Sequence, residues 1–173
     1  MVIKTDPTTI FALDSVDTRN PARITQRDWV QDDAFVSIIR TSWHSQYADY
    51  IGSKAADSLF QKVHASGKIY EHNVHGTLVA ILDGRLVGIA SVRDLQKLFL
   101  ITMLEVVPEH QGNGIATQLL NALCTVPKPL LVHVSIHRPL VKRFYAKQGF
   151  KTLAPEEIEH YGHSMVFDVM VKT

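Results

Sequence analysis

The spacing of apolar positions changes several times along the chain, and each change marks an element. Phe35, Ile38, Ile39 and Trp43 fall three and four apart in "DDAFVSIIRTSWHSQY", which predicts a helix over 32–47. Asp32 and Asp33 stand where the helix dipole favours acids. Ala56, Leu59, Phe60 and Val63 form one stripe in "SKAADSLFQKVHAS", a second helix over 53–66. In "TLVAILDGRLVGIASV" two β-rich runs flank Asp83-Gly84, a dipeptide suited to a type I′ hairpin turn. "KLFLITMLEVV" is a long apolar strand, and Ile115, Leu119, Leu120 and Leu123 then return to helical spacing. "PLLVHVSI" reads as a strand, and "RPLVKRFYAKQG" as a helix with Pro139 near its first position and Gly149 as its stop. "FKTL" and "HSMVFDVMVK" are predicted as closing strands, and "RITQRDW" as a short first strand. Residues 1–22 are turn-rich and are expected to be peripheral. The predicted order is β, α, α, β, β, β, α, β, α, β, β. Strands apolar throughout need helices on both sheet faces, so the chain is expected to form one α/β domain over 1–173.

Composition narrows the function classes. The chain has 173 residues, 46% of them apolar and 20% charged, as a globular domain has. Eighteen basic residues against 17 acidic give a formal charge of +1. No global field holds nucleic acid or an anionic membrane, and neither is expected as a partner. Cys124 is the sole cysteine. It excludes an internal disulfide, favours a reducing compartment, and reads as a buried, inert thiol in its apolar setting. With no apolar leader and no run of membrane-spanning length, the expected location is the cytoplasm. Whether the chain is monomeric or a homodimer stays open.

The chemistry concentrates in "PEHQGNGIATQLLNAL", Pro108 to Leu123. Gly112, Asn113 and Gly114 strip side chains from the entrance to a helix. A helix N-terminus presents unpaired N–H groups and partial positive charge, and glycines let an anion come close. The plain alternative is a strand-to-helix turn that needs two glycines. A P-loop is excluded, because Ile115-Ala116 stands where Lys and Ser/Thr are required. The dinucleotide fingerprint fails at Thr117, where its third glycine belongs.

Gln111-Gly112-Asn113-Gly114-Ile115-Ala116 resembles the acyl-CoA signature of the GNAT superfamily of N-acetyltransferases, Gln/Arg-x-x-Gly-x-Gly/Ala. "LEVVPEH" before it, "LVKRFYAKQGF" after it and the hairpin "LDGRLVGIA" are similar to further family segments in the family's order. The resemblance spans about residue 22 to the end. It implies a mixed, mostly antiparallel sheet whose two parallel strands, Leu98–Val107 and Leu130–Ile136, splay apart. It also implies acetyl-CoA as acyl donor, no metal, and a small-molecule or peptide amine as acceptor. Amides of Gln111, Gly112, Asn113, Gly114, Ile115 and Ala116 would hold the pyrophosphate. The backbone of Glu105, Val106 and Val107 would meet the pantetheine arm, with the Val106 amide polarising the carbonyl. Tyr145 aligns with the tyrosine that protonates the departing thiolate. Arg138 stands where relatives often carry Asn, and is expected either to meet the coenzyme or the acceptor or to be a solvated helix start.

The base is not given by a motif. Relatives often carry a carboxylate at the position of Thr102, which cannot serve. Glu105 is the first candidate, with His133 and His137, four apart on a strand, as rivals. His160 and His163 in "HYGH" read as a loop. The segment "TSWHSQYADYIG" is expected to connect the first two helices over the acceptor mouth, with Tyr47 or Tyr50 lining it. The rival to an enzyme is a GNAT fold that binds acyl-CoA as a sensor or interaction module.

Overall fold

A computed structural model of the chain describes residues 22–27, 33–67, 77–125 and 127–173, with backbone only for 23–27. The predicted peripheral segment before residue 22 lies outside the described residues. Seven strands form one sheet: β1 (Arg23–Arg27), β2 (Thr77–Leu82), β3 (Arg85–Asp94), β4 (Phe99–Val106), β5 (Leu130–Ser135), β6 (Lys151–His160) and β7 (His163–Lys172). Their order is β1-β2-β3-β4-β5-β7-β6. Every neighbouring pair is antiparallel except β4 and β5. The helices are α1 (Asp33–Ile51), α2 (Ser53–Ala65), α3 (Ile115–Leu123) and α4 (Pro139–Lys147).

The alternation of side chains across a strand divides the core in two. Leu78, Ala80, Ala90, Ile101 and Val132 pack with Ile115, Leu119, Leu120 and Leu123 of α3 and with Tyr145 of α4. Val79, Ile89, Met165 and Phe167 face the other way, onto Phe35, Ile39, Trp43 and Tyr47 of α1 and Ala56, Phe60 and Val63 of α2. Helices cover both faces, as the apolar strands predict. The Asp83-Gly84 turn has φ of 50° and 75°, the doubly positive pair that a type I′ turn needs.

Four departures from the sequence reading matter. The expected connection over Thr41–Gly52 is helix: α1 runs unbroken to Ile51 and stops at Gly52, whose φ is +80°. "FKTL" is only the start of β6, a ten-residue edge strand exposed over most of its length. "HYGH" closes the β6–β7 hairpin, with His160 and His163 paired across a Tyr161-Gly162 turn. Cys124, moreover, is half-buried beside the core rather than sealed in it.

The feature that places the site is the seam between β4 and β5. They pair only at Phe99↔Leu130, Leu100↔Leu131 and Ile101↔Val132. The β3–β4 register shifts immediately beyond: Val92 faces Ile101 but Ser91 faces Met103, so Thr102 is an extra residue. A bulge bends the strand that carries it. Here it coincides with the end of pairing, and β4 keeps to β3 while β5 leaves. The closed end of the seam is pinned by Lys128, which donates to both carboxylate oxygens of Asp94 at 2.8 and 2.7 Å and lies over the Phe99 ring.

Candidate active site

Gly112 and Gly114 both adopt φ of +80°, a region that other residues enter at a cost. Together they turn the chain from β4, through a single 3₁₀ turn at Pro108–His110, into α3. Gly114 is the N-cap of α3 and supplies no side-chain hydrogen bond. A glycine cap costs only about a few tenths of a kcal/mol relative to a capping side chain. Burying Ile115, Leu119, Leu120 and Leu123 returns roughly 1.5–3 kcal/mol each, so α3 forms with its N-terminus open. Gln111, Gly112, Asn113 and Gly114 are exposed, whereas the Ile115 side chain is core. Gln111 Nε2 donates to the Val106 carbonyl at 2.9 Å, which ties the turn to the end of β4.

Gln111 and Ala116 border a cavity of about 400 Å³ that runs along the opened edge of β4 to Arg138, Leu140, Val141, Phe144 and Tyr145. Val107 N–H bonds to Val87 O at 2.9 Å, toward β3. Strand alternation therefore turns the Val106 amide to the edge that β5 has left. Of the two valines expected at the coenzyme, Val106 lines the cavity and Val107 spends its amide on β3.

Tyr145 is 4% exposed, with the rings of Phe144 and Phe150 edge-on at 5.3 and 5.1 Å. Burial, then the nearby Glu105 carboxylate, push its phenol well above the ordinary range, and Arg138 opposes them weakly. It stays a neutral donor at any working pH. Glu105 is half-buried and accepts a hydrogen bond from Ser42 Oγ of α1 at 2.7 Å. Burial raises its pKa, while Ser42 and the Arg138 charge pull it back. Arg138 is half-buried at the start of α4, and its Nη1 donates to Ser45 Oγ of α1 at 3.0 Å. It spans the open seam and is not a solvated helix start. Thr102 donates its hydroxyl to Ser91 O at 3.2 Å inside the bulge.

A second cavity, about 480 Å³, opens on the α1 side, where Trp43, Tyr47, Arg93, Glu159, His160 and Tyr161 line it. It shares Ser42, Gln46, Ile101, Thr102, Met103 and His133 with the first cavity, so the two chambers meet across the seam. His133 stands at that junction, and burial lowers its pKa, with Glu156 raising it and Arg93 lowering it further. His137 is not its strand neighbour. β5 ends at Ser135, and the His137 ring lies edge-on to Tyr50 at 4.8 Å, away from both chambers.

Tyr47 continues the α1 stripe after Trp43. It is 3% exposed and stacks on Trp43 at 4.4 Å, so it is core and chamber wall at once. Tyr50 is corrected: its hydroxyl donates to Val166 O and accepts from Ser135 Oγ at 3.1 Å, and its side chain lines neither chamber. Sequence reasoning missed Ser42, Gln46, Arg93, Glu159, His160 and Tyr161, which no local spacing connects. Among the described residues, no group of three or more His, Cys, Asp or Glu side chains is placed to hold a metal. No described helix is long and apolar enough to cross a membrane.

Comparisons with known proteins agree with this geometry. Residues 47–167 match the family model described as an acetyltransferase (GNAT) domain. No curated protein matches the chain by sequence. Among solved structures it is similar to a GCN5-related N-acetyltransferase from Rhodopseudomonas palustris, with 22% identity, TM-score 0.66, and 89% of this chain and 96% of that one covered. PaiA N-acetyltransferase from Thermoplasma acidophilum, in complex with coenzyme A, is similar at 21% identity and TM-score 0.64, covering 86% and 98%. YncA from Salmonella typhimurium, with its cofactor acetyl-CoA, is similar at 16% identity and TM-score 0.57, covering 87% and 92%. At these identities the structural likeness speaks to the fold.

Proposed function

The chain belongs to the GNAT family of acetyltransferase domains, and from that premise we propose that it moves the acetyl group of acetyl-CoA directly to a primary amine of a small molecule or peptide. The observation that carries this reading is the open seam with a chamber on each side. The shared wall of Ser42, Thr102, Met103 and His133 is where donor and acceptor meet. A domain that only binds acyl-CoA needs the first chamber and has no use for the second.

The donor lies along the first chamber. Exposed amides of Gly112 to Ala116 at the α3 N-terminus take the pyrophosphate. The pantetheine arm follows the free edge of β4, and the Val106 N–H polarises the thioester carbonyl. The acceptor enters from the second chamber. An ammonium acceptor gives up two protons in all, one to free its lone pair and one as the C–N bond forms. Glu105, its carboxyl held above the ordinary range by burial, takes a proton and passes it to solvent. As the C–S bond breaks, Tyr145 gives its proton to the sulfur and is reprotonated from solvent. The products are the amide, free coenzyme A and one proton.

The test is thiol release from acetyl-CoA over a broad panel of amines, with the acetylated product identified by mass. Release that depends on an added amine is expected. Acetyl-CoA binding with no amine-dependent release from any member would overturn the reading in favour of a sensor.

A further inference from the structure

The second chamber carries information on its acceptor. Among the described residues its lining carries one permanent positive charge, Arg93, with His133 and His160 beside it, and one carboxylate, Glu159, which is exposed. Its apolar wall is rigid: Trp43 stacks on Tyr47 at an interplanar angle of 17°, Tyr161 tilts against Trp43 at 5.3 Å, and Phe60 buttresses it edge-on at 6.0 Å. Tyr47 is itself fixed, with its hydroxyl 3.2 Å from His160 Nδ1. Trp43 is 8% exposed, and its Nε1 is buried without a hydrogen-bond partner. An indole N–H only donates, and a buried donor is seldom left unused. The N–H is sealed from solvent, so an oxygen acceptor completes it where the indole shifts toward the chamber that Trp43 lines.

Resting on the acetyl-transfer reading, we propose that this chamber selects monoamines in which an aromatic or branched apolar body also carries a carboxylate, as an aromatic amino acid does, and that it disfavours polyamines. The rings of Trp43, Tyr47 and Tyr161 supply the surface for the apolar body. The Trp43 N–H and the Arg93 charge favour an anionic oxygen, and charge-assisted bonds of this kind are the stronger ones. The reacting amine is left to face the shared wall at Thr102 and His133. A second ammonium, as in a polyamine, would enter a chamber whose described lining holds Arg93 and no buried carboxylate to pair it. A volume of about 480 Å³ suits one such monomer.

The experiment measures kcat/KM at saturating acetyl-CoA for L-phenylalanine and L-tryptophan, for their decarboxylated counterparts phenethylamine and tryptamine, and for spermidine. The amino acids are expected to exceed both other groups by on the order of tenfold or more. Arg93→Gln should collapse the ratio of tryptophan to tryptamine toward one, with Arg93→Lys restoring part of it. Trp43→Phe, which keeps a ring and removes the N–H, should raise KM for tryptophan several-fold. Acetyl-CoA binding and thermal melting show that each variant is folded, and either variant alone suffices if the other is not. Spermidine preferred, or tryptamine used as well as tryptophan, overturns the inference and leaves acetyl transfer standing. No turnover with any amine in a broad panel overturns both.

Discussion

Tyr145→Phe separates chemistry from packing, because the structure gives the two roles different magnitudes. The substitution removes one hydroxyl from a ring that keeps its edge-on contacts with Phe144 and Phe150. Tyr145 lines the first chamber, and no hydrogen bond holds its hydroxyl among the described residues. No buried partner is orphaned by its loss, so stability should change by less than about 1 kcal/mol. The catalytic effect is larger. The phenol is kept protonated by burial and by Glu105, which makes it a competent donor to the leaving thiolate. Losing a positioned acid slows a reaction by about 10²–10³. At about 1.36 kcal/mol per decade, that is roughly 3–4 kcal/mol in the transition state and far beyond any packing term. The assay is the single-turnover rate of thiol release, with calorimetric binding of coenzyme A and a thermal melt beside it. The rate should fall a hundredfold or more while affinity and Tm hold. A rate within twofold of the unsubstituted protein would refute the assignment, and a large loss of Tm would make Tyr145 a packing residue.

Two further predictions probe the cradle and the base. Gly114→Glu forces a side chain into a backbone with φ of +80° and adds a negative charge at the α3 N-terminus; acetyl-CoA affinity should drop by orders of magnitude in calorimetry, and unchanged affinity would remove the phosphate cradle. Glu105 has a raised folded pKa, so its neutral form is the one the fold favours: that stability is complete at about pH 4 and below, and is lost as pH climbs through the raised value. Glu105→Gln should therefore raise Tm at pH 7 and leave it nearly unchanged at pH 4. It should also abolish the acid limb of the kcat/KM profile, and a profile identical to that of the unsubstituted protein would exclude Glu105 as the base.

What could be read from the sequence was local. The stripe of Ile115, Leu119, Leu120 and Leu123 repeats at helical spacing, and all four are buried on one side of α3. Gly112 and Gly114 announced an unusual backbone, and both take positive φ. The α1 stripe of Phe35, Ile39 and Trp43 has Tyr47 as its next member at four residues, and carried that one turn further it shows Tyr47 as core. β6 was cut short for a different reason. An edge strand exposed on both faces has no alternation to betray it, and Pro155 within it is tolerated where the β6–β7 register shifts. The second chamber could not be read at all. Its walls come from α1, β3, β4, β5 and the β6–β7 turn, and only the fold brings Trp43, Arg93, His133 and His160 to one place.

The same distinction accounts for Thr102, which with Arg138 is one of the two positions where the chain departs from the pattern its resemblance implies. Thr102 stands where a carboxylate was expected, and by residue type alone the base is simply missing. The structure makes Thr102 the extra residue of the bulge, its hydroxyl tied to the neighbouring strand. Glu105, three residues further on, lies on the α1 side of the same opened strand, against Ser42 and within reach of the Arg138 charge and the Tyr145 phenol. Ser42 belongs to both chambers and Glu105 to the first chamber. The bulge coincides with the opening of the seam, and Glu105 touches the shared wall of the two chambers through Ser42. The proposal that Glu105 serves as base therefore needs a strand that has lost a neighbour, and beyond Ile101 β4 has lost β5.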